Sequence, residues 1–195
     1  MTITTLKRMI SPDQLNRKSN MKYGIAIKSS LVFMLSANIL CVNAYAQDEL
    51  LASTNDMTQA QAETKNKQVG DAFLEANKKK SGIKTLSDGL QYRVLTQGKG
   101  SHPTLNDTVT VNYAGTLIDG MEFDSSYKRG EPATFPVSAV IPGWTEALQL
   151  MTVGSTWELY IPSSLAYGEK GAPPVIGPNQ TLIFKVELIS INKNS

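Results

Sequence analysis

The chain has 195 residues, and its 41% hydrophobic and 18% charged content is ordinary for a globular protein. The formal net charge is +2, but six of the nineteen basic residues and one of the seventeen acidic residues lie in residues 1–28, so the remainder is acidic. This leaves no basic surface for nucleic acid, and a single cysteine and a single histidine exclude disulfides, Cys/His metal sites and a Ser-His-Asp triad.

Residues 21–46 have the parts of a secretory signal peptide. A basic start and an apolar core over residues 30–42 precede the cleavage signal Ala44-Tyr45-Ala46. The core is short and interrupted by polar residues, so an uncleaved membrane anchor is the weaker alternative. We therefore expect an exported protein whose mature chain begins at Gln47. A true start at Met21 would make residues 1–20 a non-native upstream extension.

Residues 47–82 form a separate segment rich in Gln, Ala, Glu, Lys and Asn. This composition favours a helix from about residue 58 to residue 80. Val69, Phe73 and Ala76 form a thin apolar stripe along it, and Ser81-Gly82 ends it. The pattern leaves two interpretations open, a solvated spacer or a helix for dimerisation or partner binding.

Residues 83–195 read as one domain of short strands with a single helix. Apolar and polar residues alternate in runs typical of half-buried strands, at residues 90–95, 108–117, 133–137, 156–161 and 181–191. Trp144, Ala147, Leu148 and Met151 instead recur at helical spacing. A lone helix among antiparallel strands must cover one face of their sheet. The pattern predicts an α+β fold in which Trp144 forms the floor of a pocket.

The domain lacks the residue patterns of conventional catalysis. It has no phosphate-binding glycine loop, no metal-spaced ligand set and no nucleophile–base pair. Aromatic and aliphatic residues remain, with one acid, Asp124, after Phe123. Rotation about an X-Pro bond needs no acid or base, and its barrier of ~20 kcal/mol falls when the C–N bond loses double-bond character. An apolar pocket favours the twisted imide because it is less dipolar than the planar one.

Five motifs now resemble, in order and in spacing, those of the FKBP-type peptidyl-prolyl cis-trans isomerases. They are Tyr113-Ala114-Gly115-Thr116-Leu117 with Asp119-Gly120, Phe123-Asp124-Ser125-Ser126, Val140-Ile141-Pro142-Gly143-Trp144, Leu165-Ala166-Tyr167-Gly168 and Thr181-Leu182-Ile183-Phe184. The resemblance covers about residues 90–192. More narrowly, residues 70–77, 89–92 and 144–151 resemble the macrophage infectivity potentiator (Mip-like) branch of exported bacterial enzymes.

The resemblance implies an antiparallel half-barrel of five or six strands wrapped round the Trp144 helix. It implies Asp124, Tyr167 and Tyr113 as catalytic residues. The substrate-binding residues would be Phe123, Val140, Ile141, Trp144, Ile176, Phe184 and Arg129. The Ile141 N–H and the Tyr167 hydroxyl would donate to substrate carbonyls, and Asp124 would be oriented towards Tyr113 or Arg129. No metal and no cofactor is implied.

Three departures from the family pattern bear on specificity and assembly. Ala133 stands where many members have a wall aromatic, which predicts a wider rim, and Ala172 replaces a larger loop residue of some relatives. The Mip-like branch usually dimerises through a longer helical region than residues 47–82. We therefore expect a monomer or a weak homodimer.

The resulting hypothesis is an exported prolyl isomerase acting on proline-containing exported polypeptides. Its location would be the periplasm, the outer membrane or the medium, and macrolide immunophilin ligands such as rapamycin would inhibit it. A peptide-binding chaperone with the same pocket and little catalysis is the first alternative. A surface interaction protein that binds through residues 47–80 is a weaker one.

Overall fold

A computed structural model describes residues 38–193, and before residue 57 it describes the backbone alone. Its strands are β1 (Ile83–Thr85), β2 (Gln91–Thr96), β3 (Thr108–Leu117), β4 (Glu122–Ser125), β5 (Ala133–Pro136), β6 (Thr156–Ile161) and β7 (Leu182–Asn192). Its α-helices are α1 (Asn38–Asn77), α2 (Ser126–Arg129) and α3 (Pro142–Leu150). Short 3₁₀ helices cover Val137–Ala139, Ser163–Leu165 and Gly168–Lys170.

All the strands join one antiparallel sheet in the order β1-β2-β6-β7-β3-β4, and β5 pairs with the first half of β3. The resemblance implied five or six strands, and the sheet has seven; the two that the sequence pattern did not indicate, β1 and β4, are only three and four residues long. Asp119-Gly120 makes the predicted tight turn between β3 and β4. Gly120 has a φ of 88°, and the Leu117 N–H donates to the Met121 carbonyl at 2.9 Å.

The core lies between α3 and one face of the sheet. Alternate residues of β3 and β7 are buried, as the sequence pattern requires for strands with one covered face. The apolar residues predicted for the α3 face are also buried, namely Trp144, Ala147, Leu148 and Met151. The predicted α+β architecture around the Trp144 helix is therefore confirmed.

The C-terminal part of α1 packs against the domain through a face that the sequence analysis did not identify. Val69 and Ala76 of the predicted apolar stripe are exposed, whereas Gly70, Leu74 and Asn77 are buried. The Asn77 amide donates to the Gln91 side chain at 3.0 Å, and the Gln91 amide donates to the Leu74 carbonyl at 2.9 Å. The stripe prediction was wrong for Val69 and Ala76, whereas Phe73 is half-buried and packs against Tyr160, because the docked face combines Phe73 and Leu74 with a glycine and amide hydrogen bonds.

The helix also differs from the prediction at both ends. It ends at Asn77 rather than Lys80, and its backbone continues upstream to Asn38, through the predicted cleavage site after Ala46. Most of the predicted signal peptide, residues 21–37, and all of residues 1–20 lie outside the described residues. Within the described part of the chain, no helix is both long enough and apolar enough to cross a membrane.

Two carboxyl groups meet where the β1–β2 turn approaches α3. A hydrogen bond shared with Asp88, then burial, raises the pKa of Glu146 to about 7, and the same bond lowers the pKa of Asp88. The folded-state pKa of Glu146 thus lies above its ordinary value of ~4.3. The bond therefore stabilises the fold while Glu146 is protonated, and this contribution is lost as the pH rises through about 7.

Glu146→Gln should remove this pH dependence, since an amide can donate to Asp88 without titrating. We expect the variant to be more stable than the wild type at pH 8, by at most ~1 kcal/mol because the pair lies near the surface. The difference should vanish at pH 5. Thermal unfolding at the two pH values measures it, with the exposed Glu131→Gln as control. An equal Tm difference at both pH values would show that the pair does not share a proton.

Candidate functional site

Trp144 sits at the centre of an aromatic cluster built by α3 and three strands. Its side chain is 1% exposed. The rings of Tyr113, Phe184 and Phe135 meet it edge-on, with centroids 5.3, 5.2 and 6.0 Å away. Edge-to-face contacts are a favoured geometry for aromatic pairs. Because these rings come from β3, β7 and β5, the indole is fixed from three sides and can act as a rigid pocket floor.

A glycine opposite this cluster allows two phenylalanines to meet. Gly115 of β3 pairs with Phe184 of β7 on one side and with Asp124 of β4 on the other. A Cβ at Gly115 would lie 2.6 Å from the Phe184 ring and 2.7 Å from the Phe123 ring. Without it, these two rings pack edge-on with centroids 5.4 Å apart. Gly115 therefore makes the close packing of Phe123 on Phe184 possible.

The single acid predicted for the site belongs to a three-membered polar group. The Tyr113 hydroxyl donates to the Asp124 carboxylate at 2.6 Å, and the Arg129 guanidinium donates to the Tyr113 oxygen at 2.8 Å. Arg129 also forms an ion pair with Asp124. The family resemblance implied that Asp124 would face Tyr113 or Arg129, and the structure shows that it contacts both.

The local fold of α2 brings Arg129 back to the strand that precedes it. Ser125 caps α2, which lasts one turn before Gly130 ends it in the left-handed region at a φ of 79°. The buried Ser126 hydroxyl accepts the Tyr113 N–H at 2.8 Å, which joins α2 to β3. These contacts place the guanidinium over the Tyr113 ring, with its carbon 5.3 Å from the ring centroid.

Both candidate tyrosines keep their protons at neutral pH. Burial, and to a smaller extent the charge of Asp124, raise the pKa of Tyr167 to about 12. Burial, followed by the hydrogen bond to Asp124, raises the pKa of Tyr113 well above its ordinary value near 10. The two phenols are therefore neutral hydrogen-bond donors over the whole physiological range.

The predicted wall residues lie in the same cluster. Val140, Ile141 and Ile176 are each at most 5% exposed, and the partly buried Tyr167 packs against the hydrophobic core to which they belong. Ile141 immediately precedes α3, and its carbonyl accepts the N–H groups of Trp144 and Thr145. Its own N–H finds no acceptor among the described residues, which leaves it available to a ligand.

All the predicted site residues thus belong to the aromatic and aliphatic cluster or to the polar group. One residue was missed, since Phe135 contacts both Trp144 and Tyr113. Its alternation with Ala133 and Val137 in a predicted strand was the available signal. Ala133 is buried and pairs with Val111 on β3. Among the described side chains, no three His, Cys, Asp or Glu residues are grouped as metal ligands would be.

Comparison with known proteins identifies this arrangement. A family model described as "FKBP-type peptidyl-prolyl cis-trans isomerase" matches residues 99–189, and one for the domain amino-terminal to such isomerases matches residues 35–94. The crystal structure of FkpA from Escherichia coli superposes with a TM-score of 0.77 at 43% identity, over 81% of this chain and 74% of that one. The chain belongs to the FKBP-type peptidyl-prolyl cis-trans isomerase family.

Two curated relatives are similar at higher identity. The peptidyl-prolyl cis-trans isomerase Mip of Coxiella burnetii is 64% identical over 128 residues, which are 66% of this chain and 56% of the relative. The outer membrane protein MIP of Legionella longbeachae is 57% identical over 147 residues, which are 75% and 63%. The chain therefore spans less than two thirds of the length of either relative. All the predicted site residues fall within the 99–189 match to the FKBP-type family.

Proposed function

We propose that the chain accelerates rotation about X-Pro peptide bonds. The observation that carries this proposal is the apolar aromatic cluster around Trp144, with the carboxylate of Asp124, held by Tyr113 and Arg129, as the charge beside it. The planar imide is stabilised by resonance that separates charge. An apolar wall solvates the charge-separated planar imide poorly and penalises the less dipolar twisted imide less. It therefore lowers the free-energy barrier to rotation about the C–N bond.

Two neutral donors complete the proposed site. The unpaired Ile141 N–H and the protonated Tyr167 hydroxyl would hold the carbonyls that flank the proline. Fixing these carbonyls leaves the imide bond as the segment free to turn, and contacts that strengthen as it turns lower the barrier. Asp124 would keep the Tyr113 ring in place and supply a fixed negative charge at one wall. The mechanism moves no proton and requires no cofactor or metal.

We also propose the location, the substrates and the assembly state of the protein. The signal-peptide pattern of residues 21–46 supports export, and one relative is named as an outer membrane protein. Proline-containing exported polypeptides would be the substrates, and macrolide immunophilin ligands would compete for the pocket. Gly70, Leu74 and Asn77 dock on the chain's own domain, and the exposed residues of α1 from residue 57 to residue 69 include only two large apolar side chains, Met57 and Val69, which supports a monomer or a weak homodimer. Sedimentation equilibrium tests this assembly.

A peptide series tests the proposed specificity. Residues 47–195 should isomerise Ala-Xaa-Pro-Phe peptides with a higher kcat/KM when Xaa is leucine or phenylalanine than when it is glutamate. The reason is an apolar wall beside the negative charge of Asp124, which attracts apolar side chains and repels an acidic one. Equal kcat/KM values for leucine and glutamate would show that the residue before proline does not contact this wall.

A further inference from the structure

The loop that carries Ile176 is held from outside the pocket by α1. We call residues 171–181 the rim loop, since they lead from the last 3₁₀ helix into β7 and include the pocket residue Ile176. The Asn66 side-chain amide donates a hydrogen bond of 2.8 Å to the Pro178 carbonyl. The two residues are 112 positions apart, and the bond is partly buried.

The rim loop has few connections of its own. Ala172 and Ile176 exchange two backbone hydrogen bonds of 2.8 and 3.1 Å, and the Gly177 N–H donates to the Gln180 side chain at 3.0 Å. The Asn179 N–H donates to the Gly168 carbonyl at 2.9 Å. Pro178 lies outside any strand ladder, so its carbonyl needs a donor from elsewhere. Asn66 supplies that donor.

Close packing lets α1 reach the loop. Gly70 lies one turn after Asn66, and positions four apart share one helix face. A Cβ at Gly70 would lie 2.4 Å from the Thr181 hydroxyl, at the end of the rim loop. A Cβ at Gly177 would likewise lie 3.4 Å from the Asn66 amide nitrogen. The two glycines bring helix and loop into direct contact on either side of the Asn66 bond.

The same helix face is anchored to the sheet further along. Phe73 packs against Tyr160 of β6 with ring centroids 6.0 Å apart, and Asn77 is hydrogen-bonded to Gln91 of β2. Asn66 is therefore presented by a helix whose position relative to the sheet is fixed. A displacement of the Pro178 carbonyl must break its bond to Asn66.

We propose that Asn66 is a positioning residue for substrate binding, which acts by holding the rim loop and with it Ile176. This proposal rests on the proposed isomerase function only for its effect on catalysis. Asn66 acts on the pocket indirectly, because the Pro178 carbonyl that it holds is separated from Ile176 by a single residue, Gly177. The helix upstream of the catalytic domain thereby becomes part of the substrate site.

Three variants of residues 47–195, the predicted mature chain, test this role. Asn66→Ala removes the donor, and Asn66→Asp keeps the shape but offers only acceptors to the carbonyl. Gln68→Ala is the matched control, since it also replaces an amide by alanine on α1 but at an exposed position. Because alanine favours helix over both amides, neither alanine variant weakens α1 by itself.

Hydrogen exchange of the loop amides is the first measurement. In both Asn66 variants the N–H groups of Ile176, Gly177 and Asn179 should exchange about fivefold faster, the factor that one net hydrogen bond contributes. They should not change in Gln68→Ala. Unchanged loop exchange in both Asn66 variants overturns the proposal, whatever the catalytic activity.

The steady-state constants are the second measurement. Displacement of Ile176 alone should raise KM about fivefold with kcat changed by less than twofold, because the aromatic cluster around Trp144, to which the proposed function assigns the lowering of the barrier, stays in place. Loss of kcat with an unchanged KM overturns the positioning role. If the wild type itself shows no isomerase activity, the proposed function fails. Faster exchange of the loop amides in the Asn66 variants would still establish that Asn66 holds the rim loop.

Discussion

Trp144→Ala should lower the free energy of unfolding by about 3–5 kcal/mol, the range for deleting a large buried aromatic side chain. The indole is 1% exposed and is packed edge-on by Tyr113, Phe135 and Phe184, so a cavity remains that none of these fixed rings can fill. The same change removes the proposed pocket floor, and the proposed isomerase activity should fall by more than tenfold. Urea unfolding and a peptide assay at low temperature measure the two effects.

Trp157→Ala separates the two consequences. Trp157 is 4% exposed and stacks on Tyr92 with ring centroids 4.3 Å apart, so its removal should also cost stability. Its ring makes no aromatic contact with the Trp144 cluster within the described part of the chain. The Trp157→Ala variant should therefore keep its activity under all conditions in which it remains folded. A folded Trp144→Ala protein with wild-type activity would show that the indole is not the pocket floor.

Asp124→Asn should reduce kcat/KM at least tenfold, which corresponds to ~1.4 kcal/mol of transition-state stabilisation. The change removes the charge that both Tyr113 and Arg129 face while it keeps the size of the side chain. The far-UV circular dichroism spectrum should match that of the wild type, since Asp124 lies on a short strand outside the apolar core. Peptide isomerisation at pH 7 gives the ratio directly.

The chain contains a matched control for this change. Glu158 on β6 accepts a hydrogen bond from Tyr160 at 2.7 Å and forms an ion pair with Arg93. These three residues form a second Arg–carboxylate–Tyr group, which contains none of the predicted site residues. Glu158→Gln should leave kcat/KM unchanged. Equal losses in the two variants would mean that Asp124 supports the fold and has no special part in catalysis.

Elements with strong periodicity could be predicted from the sequence. β3 alternates buried and partly exposed residues along its whole length, and α3 carries its apolar residues at helical spacing. β1 and β4 have only three and four residues, so no period can be recognised in them. These two strands form through pairing with their neighbours rather than through a pattern of their own.

The position of α1 could not be read from hydrophobicity. Its docked face includes Asn66, Gly70 and Asn77, which contribute hydrogen bonds and close backbone contact but no apolar side chain. Of the predicted apolar stripe only Phe73 contacts the domain, whereas Val69 and Ala76 are exposed. The site itself was better marked, because its motifs hold the pocket residues in a few short segments. Phe135 was missed because it lies in a strand between those motifs.

The most direct test of the account is the rate of cis/trans exchange of an X-Pro peptide with residues 47–195 present at micromolar concentration. Exchange spectroscopy measures this rate without a coupled protease. We predict exchange well above the uncatalysed rate, which has a time constant of ~10–100 s, and a return to that rate when stoichiometric rapamycin fills the pocket. An exchange rate equal to that of the free peptide, in a protein that still binds the peptide, would contradict it and favour a peptide-binding chaperone.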